Sequence, residues 1–190
     1  MDTERFVGGG DSYDGLNAYH YFEKSLGPFL NLSSLSNEEA ETVTQQIRDQ
    51  GRNFASRRSA DYMTIRRALE HKAYEQFKGK GGTPTNPYPH YLTLGACEWL
   101  SSWYTEPDQL IIPWEDLSAE VVSFTYGDLF PTMRYSDDKP YRKQIYTKGE
   151  ILEVIQAYGW PQEWNRLGDQ GPERYIEVQV WDERIIRPYR

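Results

Sequence analysis

The chain has 190 residues, a net charge of -8, 38% hydrophobic residues and 15% aromatic ones, so a core that folds without staples must draw heavily on Tyr, Trp and Phe. The lone Cys97 excludes an internal disulfide, the first residues lack the basic flank and apolar run of a secretory signal, and no stretch approaches the roughly 20 apolar residues of a membrane span. A cytoplasmic protein is expected, with no membrane association, no cofactor and, because no histidine pair has ligand spacing, no metal.

Residues 1–15 are polar and glycine-rich, with no strand before them and no apolar helix after them. They read as a flexible segment ahead of a single domain over 16–190. Ser36 with Glu39 forms a capping box that opens a helix to about Gly51, whose stripe is Ala40, Val43 and Ile47. A longer helix is expected from about Asn53 to Lys78, stopping at Gly79, with Phe54, Tyr62, Ile65, Leu69, Ala73 and Phe77 on one arc. Residues 79–89 hold too much glycine and proline to continue as helix or to pair as strand.

From His90 to Tyr104 the series Leu94, Trp99, Leu100, Trp103 fits a helix better than a strand. Strands are expected at 110–112, 120–126, 141–146 and 174–181. In the last, Ile176, Val178 and Val180 form the core face, and Tyr175, Glu177, Gln179 and Trp181 read as a solvated one, with the polar and aromatic lining of a cleft as the alternative. Thr147 with Glu150 is a second capping box, opening a helix that ends near Gly159. Helices come first and strands mostly later. That order predicts an α+β fold, with N-terminal helices packed on a mainly antiparallel C-terminal sheet and one further helix.

The acidic total hides a basic segment. Between 52 and 82, eight basic residues face three acidic ones, so that stretch carries +5 and the remainder -13. At about 100° per residue, Arg58 and Arg66 fall inside the apolar arc beside Tyr62. A guanidinium there needs an anion, either internal (Glu70, one turn on from Arg66, and an acidic residue of the sheet for Arg58, unless Arg58 snorkels to water) or a ligand phosphate or carboxylate. Lys80, Gly81 and Gly82 suggest a backbone nest for the same oxyanion, or else an ordinary helix cap. The spacing of a Walker loop is absent.

His90 at the loop's end and Asp128 at the end of a strand are the candidate acid and base, with Tyr62 and Tyr126 lining the site. Asp128 equally suits a turn cap. Two readings stay open. The first is a small enzyme or ligand-binding protein for an anionic, phosphate-bearing or nucleotide-like molecule in a cleft between the basic helix and the sheet. The second is a non-enzymatic acidic interaction protein, an inhibitor or immunity-type partner of a basic protein. Nucleic-acid binding ranks below both, because the acidic remainder repels phosphates.

Overall fold

Alternation along five β-strands decides which residues meet. In the computed structural model, which describes residues 16–51 and 54–190, these strands are β1 (Asn17–Glu23), β2 (His90–Leu94), β3 (Pro107–Pro113), β4 (Val122–Tyr126) and β5 (Ile176–Val180). They form one sheet in the order β3-β1-β2-β5-β4, each neighbouring pair antiparallel. Ile112, Ala18, Leu94, Ile176 and Tyr126 stand in a row across all five strands. One residue along, Ile111, Tyr19, Thr93, Glu177 and Thr125 make the adjacent row on the opposite face. A one-residue slip would exchange those two sets, so the apolar row pins the register.

The helices are α1 (Asn37–Gln50), α2 (Tyr62–Gly79), α5 (Lys148–Tyr158) and the one-turn α3 (Glu98–Ser101), α4 (Leu129–Thr132), α6 (Pro161–Trp164) and α7 (Glu183–Ile186). The architecture is α+β. None of the helices among the described residues is long and apolar enough to cross a membrane. Both capping boxes form, at Ser36 with Glu39 and at Thr147 with Glu150, and Gly51 closes α1 in the left-handed region at φ 62°.

Each sheet face carries a different cover. On the first, Leu94, Ile112, Phe124, Ile176 and Val178 pack with Ile151 of α5 and with Trp114 and Leu117. On the second, α2 lays Leu69, Ala73 and Phe77 against Trp181, Leu129, Met133 and Ile145. All five residues of β4 and of β5 are buried as a result. The face of β5 that bears Glu177 and Gln179 is therefore interior, where its polar side chains had suggested solvent.

Several elements differ from the expectation. Residues 90–104 split at Gly95 (φ 77°) into β2 and α3, so the helix-like spacing of Leu94, Trp99 and Leu100 spans two unconnected elements. Residues 141–146 make a single bridge, Tyr146 to Phe124, and no strand. There Lys143 sits at φ 59° and Arg142 turns inward to Glu173 and Asp137. The helix expected from 53 is interrupted: residues Phe54–Arg57 form a 3-10 turn, and α2 begins only at Tyr62. Ser59 and Asp61 bond to each other there, a local polar alternative to helix. Among the described residues, strand β1 precedes all the helices. The flexible segment expected at 1–15 lies outside the described residues.

Candidate functional site

Where α2 stops covering the second face, over β1 and β2, a cavity of about 750 Å³ remains. That volume suits a small ligand. Arg58, Tyr62 and Arg66 border it from the helical side, Tyr19 and Tyr21 from β1, Tyr91 from β2, and Asp128 and Glu177 from the far half of the sheet.

Arg66 is held by α2. Its Nε donates to Glu70 Oε1 at 2.9 Å, its Nη1 to the Tyr62 hydroxyl at 3.3 Å, and its guanidinium lies 4.9 Å from the Tyr91 ring centroid. Burial works against that charge, but Tyr62, Tyr91 and Glu70 more than offset it and hold its pKa well above the ordinary arginine value. Glu70 is fully buried, and the same Oε1 also accepts from Ser33 Oγ at 2.8 Å and the Tyr91 hydroxyl at 2.7 Å.

Arg58, in the interruption before α2, is set differently. It stacks 4.4 Å over the Tyr62 ring and, among the described residues, forms no ion pair. Burial, and after it the neighbouring Arg66 charge, depress its pKa below the usual arginine value, while Tyr62, Asp128 and Tyr104 act the other way.

Three of the carboxylates around the cavity already accept hydrogen bonds from the protein. Asp128 caps α4, with Oδ1 accepting from Phe130 N at 2.7 Å and Oδ2 from the Tyr175 hydroxyl at 3.2 Å. Glu23 accepts from the backbone N–H of Thr105 and Glu106 at 2.8 and 2.9 Å. Glu177 Oε1 accepts from Leu129 N at 3.1 Å and Gln179 Nε2 at 3.0 Å. Burial first, and the Asp128 carboxylate next, push its pKa well above the carboxylate range.

The structure brings Arg58, Tyr62, Arg66 and Asp128 together on this cavity and places Lys80, Gly81, Gly82 and Tyr126 apart from it. His90 borders the cavity, but strand alternation turns the ring to the opposite side from Tyr91. There it meets Phe29 edge-on and lies 3.6 Å from Glu183. It makes no hydrogen bond to Asp128 among the described residues. Lys80 Nζ sits on the Glu150 carboxylate at 2.8 and 2.9 Å, at the start of α5.

The backbone donors of the glycine loop are already used. Gly81 N donates to Lys78 O, Gly82 N to Phe77 O, Thr83 N to Glu120 O, and Thr85 N and Asn86 N to Trp181 O. Gly82 is small for a packing reason, since a Cβ there would come 2.6 Å from the Phe77 ring. Gly82→Ala is expected to cost about 1–3 kcal/mol by overpacking, read as a lower urea midpoint with an unchanged slope. Tyr126 lies on the first face, its hydroxyl donating to Gly159 O at 2.8 Å and accepting from Trp164 Nε1 at 3.0 Å.

His20 is also spoken for. Phe29 N–H donates to its Nε2 at 2.8 Å, so Nδ1 carries the proton and donates to Tyr91 O at 3.0 Å. Burial lowers its pKa to about 4, which keeps it neutral at ordinary pH. Among the described residues no three His, Cys, Asp or Glu side chains cluster with metal-binding geometry.

Sequence reasoning passed over Tyr91 and ranked a solvated face above a cleft lining for Tyr175, Glu177 and Gln179. The available signal was compositional. The residues facing Glu177 and Gln179 across β2 and β4 are Thr93, Tyr91, Thr125 and Ser123, hydroxyl-bearing groups in place of the lysines and glutamates of a wet sheet face. Compared with protein-family models, with curated proteins and with solved structures, the chain finds no significant match, so the reading of this cavity rests on its own geometry.

Proposed function

We propose that the cavity binds an anionic small molecule, phosphate-bearing and of nucleotide-like size, with Arg58 and Arg66 taking its charge. The observation that carries this reading is Arg58: a half-buried guanidinium beside a second one, with no ion pair among the described residues and a ligand-sized space in front of it. Two adjacent guanidinium groups repel, and an incoming oxyanion relieves both the repulsion and the desolvation. The tyrosines around them supply apolar area for a ring or sugar and hydroxyls for its polar edge.

Adenosine 5′-monophosphate, ribose 5-phosphate and inorganic phosphate test the proposal in thermal-shift and calorimetric titrations. At least one is expected to raise the Tm of the wild-type protein. Arg58→Ala should weaken its binding about 10- to 100-fold, the loss of one charge-assisted contact. Lys80→Ala, which removes the distant pair with Glu150 and the contact with the Tyr146 ring, should leave it unchanged. The proposal falls if none of the three compounds stabilises the wild type at millimolar concentration, or if Arg58→Ala binds as the wild type does.

A further inference from the structure

An anion site with a glutamate in its floor looks self-defeating, and the hydrogen-bond pattern around Glu177 resolves the conflict. Glu177 lies between Thr93 and Thr125 in its row, beneath the end of α2 and at the border of the cavity. A buried chain orients it. Trp181 Nε1 donates to Ser123 Oγ at 2.8 Å, Ser123 Oγ to Gln179 Oε1 at 3.0 Å, and Gln179 Nε2 to both Thr125 Oγ1 and Glu177 Oε1 at 2.9 and 3.0 Å.

With Leu129 N also on Oε1, both protein donors fall on one oxygen. Oε2 has no hydrogen-bond donor among the described residues, yet it is not a sealed, unsatisfied atom. It is the oxygen left for the cavity.

The groups that face Glu177 are Asp128 from the turn before α4, Arg66 from α2, Tyr91 from β2, Gln179 from its own strand and Tyr175 just before that strand. The hydrogen bonds from Gln179 and Leu129 N, and after them the Arg66 charge, favour a carboxylate there, but burial and the Asp128 charge outweigh them, and Arg66 already has Glu70. A bound oxyanion would add a further negative charge against Oε2 in a poorly solvated space, which a carboxylate could not tolerate and a carboxylic acid can.

Resting on the anion reading above, we infer that Glu177 acts as a carboxylic acid whose Oε2–H donates a hydrogen bond to the oxyanion held by Arg58 and Arg66. Three donors arriving from α2, from the segment before it and from the sheet match a tetrahedral oxyanion. A planar carboxylate spends both oxygens on one guanidinium fork, so the ligand class is a phosphate monoester. The raised pKa of Glu177 agrees with this role, since it keeps the acid form present at pH values where an ordinary glutamate has lost its proton.

The sign of the pH dependence follows. Affinity for a phosphate monoester declines as pH rises through the Glu177 pKa, because deprotonation replaces a donor with a like charge. Glu177→Gln retains a neutral N–H donor and escapes that decline. The test is calorimetric titration of adenosine 5′-monophosphate into wild type and Glu177→Gln from pH 5 to 9, where titration of the phosphate itself cancels in the ratio of the two Kd values.

The ratio of wild-type to variant Kd is expected to be near one at pH 5 and to rise at least about 10-fold by pH 9, the size of one charged contact turned repulsive. Unchanged Tm and circular dichroism of the near-isosteric variant establish that it folds. A ratio that stays flat across the range, with the nucleotide bound by both proteins, overturns the role of Glu177 and leaves the anion reading standing. Absence of binding to the wild type at every pH overturns the anion reading, and this inference with it.

Discussion

Glu70→Ala is expected to lower the free energy of unfolding by about 3–5 kcal/mol, the range for removing one partner of a buried ion pair. Glu70 is 0% exposed, and a single oxygen collects the Ser33 hydroxyl, the Arg66 guanidinium and the Tyr91 hydroxyl. Truncation leaves all three donors below the surface without their acceptor, and the Arg66 charge without its counter-charge. Glu70→Gln keeps the accepting oxygen and removes only the charge, so its loss should be clearly smaller. Urea unfolding of both variants checks this. Equal losses would mean that the charge, and not the shared acceptor, stabilises the wall of the cavity.

Phe77→Ala should cost a similar amount, about 3–5 kcal/mol, through lost transfer energy and the cavity left behind. Phe77 is fully buried in the last turn of α2, in the cluster that joins this helix to Trp181 of the sheet, and its ring lies against Gly82. Collapse around the site is limited, because the loop beyond α2 is tied to Glu120 O and Trp181 O. The same geometry makes the two positions interdependent. In the Phe77→Ala background, Gly82→Ala should cost little or nothing, since the ring it would strike is gone. A double-mutant cycle in urea reads that coupling, and additive losses would show that Gly82 is small for some other reason.

Local chemistry made part of this fold legible. Ser36 with Glu39, and Thr147 with Glu150, each complete their bonds within four residues, so two helix starts can be read without knowing what surrounds them. The last strand was readable from Ile176, Val178 and Val180. Strand β1 was not, because Tyr-His-Tyr-Phe has no apolar-polar alternation. Its tyrosines face the cavity, and its histidine is held by hydrogen bonds to the backbone of Phe29 and Tyr91, 9 and 71 residues away.

The candidate site divides in the same way. Arg66 could be recognised as anomalous from helical periodicity, and Glu70 as its partner one turn on, because both lie in α2. Lys80 looked equally suited to an anion, but its partner Glu150 is 70 residues away in the chain, and no local pattern announces it. Glu177 was misjudged for the same reason, ranked as solvated ahead of a cleft lining. A polar residue on an alternating strand signals solvent, unless a helix elsewhere in the chain covers that face.

The basic segment in an acidic chain, with two arginines that require an anion, was thus determined by the sequence alone, since charge and helical period are local properties. Whether that anion comes from within the chain or from outside was decided by the tertiary structure. The docking of α2 on the second sheet face seats the Arg66–Glu70 pair against Tyr91, leaves Arg58 over a ring with a cavity before it, and buries Glu177, whose pKa rises as a result. The physical reason is that burial sets the cost of a charge, and burial is a property of what covers a residue, not of the residue itself.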